Sequence, residues 1–332
     1  LHTHRAIHSF SRPLFVVGQA MFALSISVLI WRIVLALRYR VTPPCASRKL
    51  PTVAVIVPAY NEGELVYSTL KSLARSHYPR KNISIIAVDD GSQDDTWSWI
   101  EKACAEHPSR IIGIRSPKNE GKKHALQRGI LRSESDVIVT VDSDTIVEPQ
   151  TLRNLVSPFV SDSQVGAVAG NVRVLNREEG ILPRMLDASF TYSFDFIRAG
   201  ESMFRAVFCT PGALAAYRRD LVLDALDEWI GQTFLGRPAA IGEDRALTNQ
   251  ILRRGFHVLY QRNAVVYTKV PTDFWGLSKM YLRWTRSNIR ETLVMSTFAF
   301  RRFRSSSAAG VRVNLIMAWL ALTVRQLFWV PF

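Results

Sequence analysis

The chain has 332 residues, 48% hydrophobic and 21% charged, enough for one α/β domain of about 200–250 residues with attached segments. Lys and Arg number 42 against 28 Asp and Glu, a formal charge of +14, which suits an anionic partner but does not choose among nucleotides, lipid headgroups and nucleic acid. The three cysteines, Cys45, Cys104 and Cys209, are too few and too scattered for a disulfide scaffold or a cysteine metal site, so a reduced, cytosol-facing domain is expected.

Residues Leu14 to Trp31 carry no charge, and after Arg32 the apolar run continues to Leu37. That length suits a membrane-spanning helix at 14–37 whose arginine snorkels to the interface. A signal peptide would have a shorter apolar region ending at a small-residue cleavage site, whereas this one runs into WRIVLALRYR. Arg38, Arg40, Arg48 and Lys49 follow the run and Arg5 and Arg12 precede it, a bias that places the following domain in the cytoplasm.

The next stretch alternates strand and helix patterns. PTVAVIVPAY, NISIIAVDDGS, RIIGIRS and DVIVTVDSD read as buried strands, each followed by a helical segment. Continuous Val and Ile runs of this kind predict an α/β fold with a mostly parallel sheet flanked by helices. Ligands bind such sheets beyond the carboxyl ends of the strands. Polar residues stand there: Tyr60-Asn61-Glu62, Asp89-Asp90, and Asp142 with Asp144. The segment lacks the glycine spacing of a dinucleotide fold and has no Walker lysine–serine pair.

Asp142 and Asp144 form an Asp-Ser-Asp pair after VIVTV; on extended backbone both carboxylates point the same way. Hard oxygen ligands suit Mg2+ or Mn2+, although a helix cap or a surface turn explains an isolated pair equally well. Asp89 and Asp90 suit a base or a ribose, or a local cap. Lys118, Lys122 and Lys123 precede or open a helix beside a prospective phosphate, or are simply solvated. Glu243 and Asp244 open another helix, where capping and general-base chemistry ask for the same residue type.

Towards the C-terminus, residues 280–304 alternate apolar side chains with arginines, a pattern suited to a bilayer surface and also to a soluble helix with a charged face. VNLIMAWLALTV, followed by Arg325, reads as a second membrane segment. The expected organisation is therefore residues 1–49, an anchor and basic linker; 50–265, the catalytic-type domain; 266–310, interfacial helices; and 311–332, a C-terminal transmembrane segment.

In order along the chain, VPAYNE, VDDGSQDDT, NEGKKHAL, VDSDT, GNVRVLN, FLGRPAAIGEDRALTN and RWTRS together resemble the processive family 2 glycosyltransferases, and most of all the hyaluronan synthases and the rhizobial chitooligosaccharide synthase. The resemblance implies a GT-A-type fold, a UDP-sugar donor, an oligosaccharide or polysaccharide acceptor, membrane lipids as surroundings, and a multi-pass plasma-membrane protein. It also implies inversion by direct attack and passage of the polymer through a channel of the protein's own helices. Carried over by motif, Asp90 contacts uracil, Tyr60 and Glu62 flank the base, and Lys122 lies near it. Asp142 and Asp144 hold the metal and UDP, while Asp244 deprotonates the acceptor hydroxyl beside Glu243. Arg283 approaches the diphosphate, with Arg286 extending the basic wall. Trp284 meets the acceptor sugar, and Cys209 marks where that sugar rests; the bland alternative for Cys209 is a small buried hydrophobe.

The family motif usually opens with Gln, and this chain has Met280, whose thioether cannot donate a hydrogen bond. N-acetylglucosamine transfer to a chitin-like chain is the preferred expectation, with hyaluronan synthesis from two donors second. A catalytically weak, sugar-binding scaffold is a third reading. Nucleic acid is not an expected partner, because the basic residues gather beside apolar segments and no aromatic-basic module appears.

Overall fold

The computed structural model describes residues 2–327. Helix α1 (His2–Arg38) leads to β1 (Val53–Ala59), α2 (Glu64–Ala74), β2 (Ile83–Asp89), α3 (Thr96–Glu106), β3 (Ile111–Arg115) and α4 (Lys122–Arg132). Strands β4 (Val137–Thr140) and β5 (Thr145–Val147) flank a tight turn and precede α5 (Thr151–Ser161) and β6 (Val165–Val174). Then come α6 (Ile181–Phe190), a π-helical turn (Thr191–Ile197) and α7 (Arg198–Met203). Next are β7 (Ala215–Arg218), α8 (Arg219–Ile230) and a small hairpin of β8 (Thr233–Phe234) with β9 (Arg237–Pro238). The described chain closes with α9 (Glu243–Arg253), β10 (His257–Thr268), α10 (Phe274–Ser296) and α11 (Ala309–Leu327).

The main sheet has 8 strands in the order β3-β2-β1-β4-β7-β6-β10-β5. The expected parallel arrangement holds from β3 to β4, where the βαβ units lie. Beyond β4 the sheet is mixed: β7 runs antiparallel between β4 and β6, and β5 antiparallel to β10. The Val-rich pattern reports burial on both faces and does not by itself fix strand direction, and β7 and β5 are the strands where the expected parallel pairing fails. One core packs α2, α3 and α5 on one face, and the other packs α4, α8 and α9 on the opposite face.

Strand β1 lies between β2 and β4, so the chain leaves it to both sides, and a crevice opens beyond the strand ends at that switch point. Strand β10 runs without a break from His257 to Thr268, across the expected boundary at 265.

Among the described residues one helix is long and apolar enough to cross a membrane, Gly18–Arg38, with mean hydropathy 2.2 and none of it buried. Its exit is tied to the domain: Tyr39 Oη donates to the Tyr260 carbonyl at 2.7 Å, and Gln261 Nε2 donates to Thr42 O at 2.7 Å. The apolar part of α11, Ala309–Thr323, is shorter, and Val311 and Leu315 bury one side of it against the domain. Asn314 Nδ2 reinforces that docking by donating to Ala206 O at 2.9 Å. Residues 328–332 of the expected C-terminal segment lie outside the described residues.

Candidate active site

The crevice is a cleft of about 720 Å3. Tyr60 and Glu62 enter it from the end of β1, Asp90 from β2, and Asp142 and Asp144 from β4. Lys122 comes from the first turn of α4, Glu243 and Asp244 from the first turn of α9, and Cys209 from the segment before β7. Arg283 and Trp284 close it from α10. Residues up to 224 positions apart in sequence thus share one space because every acidic loop stands at the same edge of the sheet (60 to 284).

The loop after β1 is built by its own residues. Asn61 has φ +52°, a left-handed conformation that Asn tolerates, and its Oδ1 accepts from Gln93 N at 2.9 Å. Thr96 Oγ1 accepts the amides of Glu62 at 2.8 Å and Gly63 at 2.9 Å, which fixes Glu62 at the cleft. Asp90 is committed in a similar way: its carboxylate accepts from Gly121 N at 2.7 Å and faces Arg128 at 3.3 Å, so it also shapes the loop before α4. Asp89 is fully buried, caps Ser92 N at 3.1 Å and does not line the cleft.

Asp142 and Asp144 lie in the turn between β4 and β5, closed by Thr145 N donating to Asp142 O at 3.3 Å. The extended backbone expected to align them ends at Thr140; the turn brings both to the cleft instead. Burial, with the charge of Asp142, raises the proton affinity of Asp144. Burial also pushes Glu62 up to about 7, helped by Asp144 and Asp142 and opposed by a hydrogen bond from Ser143.

Lys122 is the cation nearest these acids, with Nζ 2.6 Å from Asp142 Oδ1 and 3.0 Å from Glu243 Oε1. Burial works against its charge, but the two carboxylates outweigh it and hold the ammonium protonated. Gly212 makes room, since a Cβ there would stand 2.7 Å from Lys122 Nζ. Lys118 and Lys123 do not join Lys122: Lys118 pairs with Glu120 at 3.3 Å, and Lys123 is buried over Trp229, so neither lines the cleft. Arg286 is likewise exposed and does not line the cleft.

Glu243 and Asp244 are adjacent, yet their proton affinities are shifted in opposite directions. Burial raises Glu243, yet Lys122 more than offsets this and holds it ionised. Burial and the neighbouring Glu243 charge raise Asp244. Asp244 Oδ2 accepts from Gly212 N at 3.3 Å and lies 3.8 Å from Cys209 Sγ. Burial, with Asp244 beside it, pushes the Cys209 thiol up to about 12, so it is protonated at neutral pH. Trp284 packs edge-on against Phe194 and Tyr281, with Phe190 5.8 Å away, which leaves an aromatic platform at this end of the cleft. Met280 lines the wall from within the apolar core.

Sequence reasoning missed Arg198, Lys269, Ser287 and Asn288, which also line the cleft. For Ser287 the signal was present: Arg283, Ser287 and Arg290 recur at helical spacing, which puts them on one face of α10.

A family model described as "Glycosyltransferase like family 2" matches residues 51–287, the segment that builds this cleft. The chain belongs to glycosyltransferase family 2. An N-acetylglucosaminyltransferase of Mesorhizobium japonicum is 37% identical over 253 residues, covering 76% of this chain and 59% of that protein. One from Rhizobium leguminosarum bv. viciae is 35% identical, covering 83% and 64%. The hyaluronan synthase of Streptococcus pyogenes is 37% identical, covering 73% and 58%. This glycosyltransferase chain therefore spans about three-fifths of the length of these curated relatives.

Its fold is shared with a mannosyltransferase from Pyrobaculum calidifontis solved with GDP-Man and Mn2+ (TM-score 0.59, 22% identity, 91% of each chain). It is shared too with S. aureus TarS 1–349 in complex with UDP-GlcNAc (TM-score 0.53, 17% identity, 78% and 68%).

Proposed function

We propose that this glycosyltransferase transfers N-acetylglucosamine from UDP-N-acetylglucosamine to the end of a β-linked, chitin-like saccharide, at the cytoplasmic face of the plasma membrane in which its helices are anchored. The observation that carries the reading is the gathering of Asp142, Asp144, Lys122, Glu243 and Asp244 in one cleft beyond the strand ends, with Lys122 Nζ 2.6 Å from Asp142 Oδ1 and 3.0 Å from Glu243 Oε1. Burial raises Asp244 but is outweighed by Lys122 at Glu243, a difference in surroundings that agrees with an acid–base site. The curated relatives named for N-acetylglucosamine transfer support the choice of sugar.

Asp244, with its raised proton affinity, takes the proton of the acceptor hydroxyl as that oxygen bonds to the sugar C1. The C1–phosphate oxygen bond breaks and UDP leaves, so configuration inverts. Lys122, held protonated, faces the departing diphosphate together with Arg283. Asp90, Tyr60 and Glu62 receive the nucleoside, and Trp284 and Cys209 hold the acceptor sugar.

Among the described residues no three His, Cys, Asp or Glu side chains gather as a metal cage. The pair that is present fits a cation bound through one or two carboxylates plus substrate phosphates, the usual mode of Mg2+, and burial together with the neighbouring carboxylates raises Asp144 and Glu62. Asp142 and Asp144 would hold Mg2+ or Mn2+, whose charge stabilises a diphosphate as it departs.

Hyaluronan synthesis is the second reading, and Arg198 favours it. This guanidinium is 6% exposed, lies 4.1 Å over the Phe194 ring and lines the cleft, and its Nη1 has no acceptor among the described residues. Its charge already acts on the Glu201 carboxylate, and the unpaired Nη1 suits a second one, such as that of a uronic acid.

Incubating purified, nanodisc-embedded protein with UDP-N-acetylglucosamine, UDP-glucuronate and UDP-glucose, singly and in pairs, separates the readings by product mass. Growth on UDP-N-acetylglucosamine alone supports the chitin-like product. Growth only with both UDP-N-acetylglucosamine and UDP-glucuronate supports hyaluronan, and no transfer under any condition refutes both.

A further inference from the structure

We infer that Arg290 is a positioning residue for the proton-accepting carboxylate, acting from α10 through the backbone that carries Asp244. The inference rests on Asp244 being the base, as proposed above. The segment Ile241–Gly242 enters α9 directly ahead of Glu243 and Asp244, and it has no side chain long enough to anchor itself. Arg290 supplies the anchor, its Nη2 donating to Ile241 O and reaching Gly242 O at 3.5 Å. The residue is 8% exposed.

Its guanidinium is aimed by a second buried group. Arg290 Nε donates to Glu291 Oε1 at 2.6 Å, and Glu291, 1% exposed, accepts from Gln232 Nε2 at 3.1 Å and Asn249 Nδ2 at 2.8 Å. One carboxylate thus ties α10 to α9 and to Gln232, two residues past α8. Arg245, beside the base, donates through Nη1 to Asn288 Oδ1, a further link to α10.

Steric fit reinforces the polar clamp. Gly242 has φ +74°, which glycine adopts freely, and a Cβ there would fall 1.9 Å from Ser287 Oγ. From the opposite side Trp229 Nε1 donates to Glu243 O at 2.9 Å. The first turn of α9 is therefore seated between α8 and α10. Since Arg283 and Trp284 lie on α10 too, the helix that lines the substrate cleft also sets the position of the base. A displacement of about 1 Å at a reacting group costs on the order of 100-fold in rate, so loosening this seat is expected to reach the chemistry.

The test is a double-mutant cycle in nanodiscs with UDP-N-acetylglucosamine, reading kcat, KM and UDP affinity. Arg290→Gln is expected to lower kcat about 10- to 100-fold while donor KM and UDP affinity stay within about twofold. In an Asp244→Asn background the same change is expected to add no further loss, because two residues that act through one group do not add. Arg290→Lys keeps the buried charge, guards against a folding failure, and is expected to fall between the two.

Free guanidinium ion is expected to restore part of the activity of Arg290→Ala by refilling the place between Ile241 O and Glu291, while the separation of kcat from UDP affinity distinguishes positioning from a general loss of structure. Unchanged kcat in folded Arg290→Gln, a loss of UDP affinity equal to the loss of kcat, or full multiplication of the losses in the double variant would each overturn the inference. Wild-type activity in Asp244→Asn would instead remove the base reading on which it stands.

Discussion

Glu62 illustrates how three acids at one strand edge alter each other. Its carboxyl ordinarily titrates at 4.5 and is pushed up to about 7 by burial and by Asp144 and Asp142. Between those values the unfolded chain has released the proton that the folded protein retains, so stability falls as pH rises through the window. Metal-free protein should therefore lose melting temperature from pH 4.5 to 7, and Glu62→Gln should flatten that loss. A melting temperature that rises equally in both proteins would contradict the shift.

Gly212 gives a second residue-scale expectation. A methyl at 2.7 Å from Lys122 Nζ must displace the ammonium from Asp142 and Glu243. Gly212→Ala should lower kcat about tenfold or more with little change in melting temperature, because the cost falls on preorganised charge and not on the core. A variant with wild-type kcat would show that Lys122 does not need its place.

These residues differ in how far they were legible. Asp142, Asp144 and Asp90 stand out because each follows a Val-rich strand, and strand ends are where ligands bind. Arg198 did not, since its enclosure by Phe194 is a tertiary fact. Lys123 was misplaced because adjacent residues on a helix point about 100° apart, and only one of two neighbouring lysines reaches the cleft.

At the scale of elements, α10 carries two faces. One turns Arg283, Trp284 and Ser287 to the cleft and buries Arg290 and Glu291. The other leaves Phe274 and Trp275 71% and 74% exposed at its start, with Leu282 and Ile289 further along. The alternation of arginine and apolar residues marked the segment as amphipathic, but not which arginines faced inward; Arg290 is inside and Arg286 outside.

The exposed face suits a lipid surface. A nitroxide on Trp275→Cys in nanodiscs should be relaxed more strongly by oxygen, which partitions into lipid, than by an aqueous nickel complex. The reverse preference would place that end of α10 in water. Strand direction was the other blind spot: β7 is as apolar as its neighbours yet runs against both, since alternating helices dictate parallel pairing only through β4.

Across the whole molecule, a basic, apolar-flanked chain folds its acids to one edge and surrounds them with cations from distant segments. The α/β class and the cleft's position followed from local patterns, whereas the seating of α9 against α10 depends on contacts more than 40 residues apart. The balance of charge has a kinetic consequence. Asp244 must be ionised to accept a proton, and burial beside Glu243 raises its affinity, so the acid limb of kcat against pH should lie above the ordinary aspartate value of about 4. An acid limb at or below that value would mean that another group accepts the proton.

The central claim is that Asp244 performs the proton transfer in a cleft whose donor site does not depend on it. Turnover and UDP affinity of Asp244→Asn, measured on the same folded preparation with UDP-N-acetylglucosamine, test it most directly. UDP affinity is expected to stay near wild type while turnover falls about 100- to 10,000-fold, the range of general-base catalysis. Turnover within a few-fold of wild type would contradict the account.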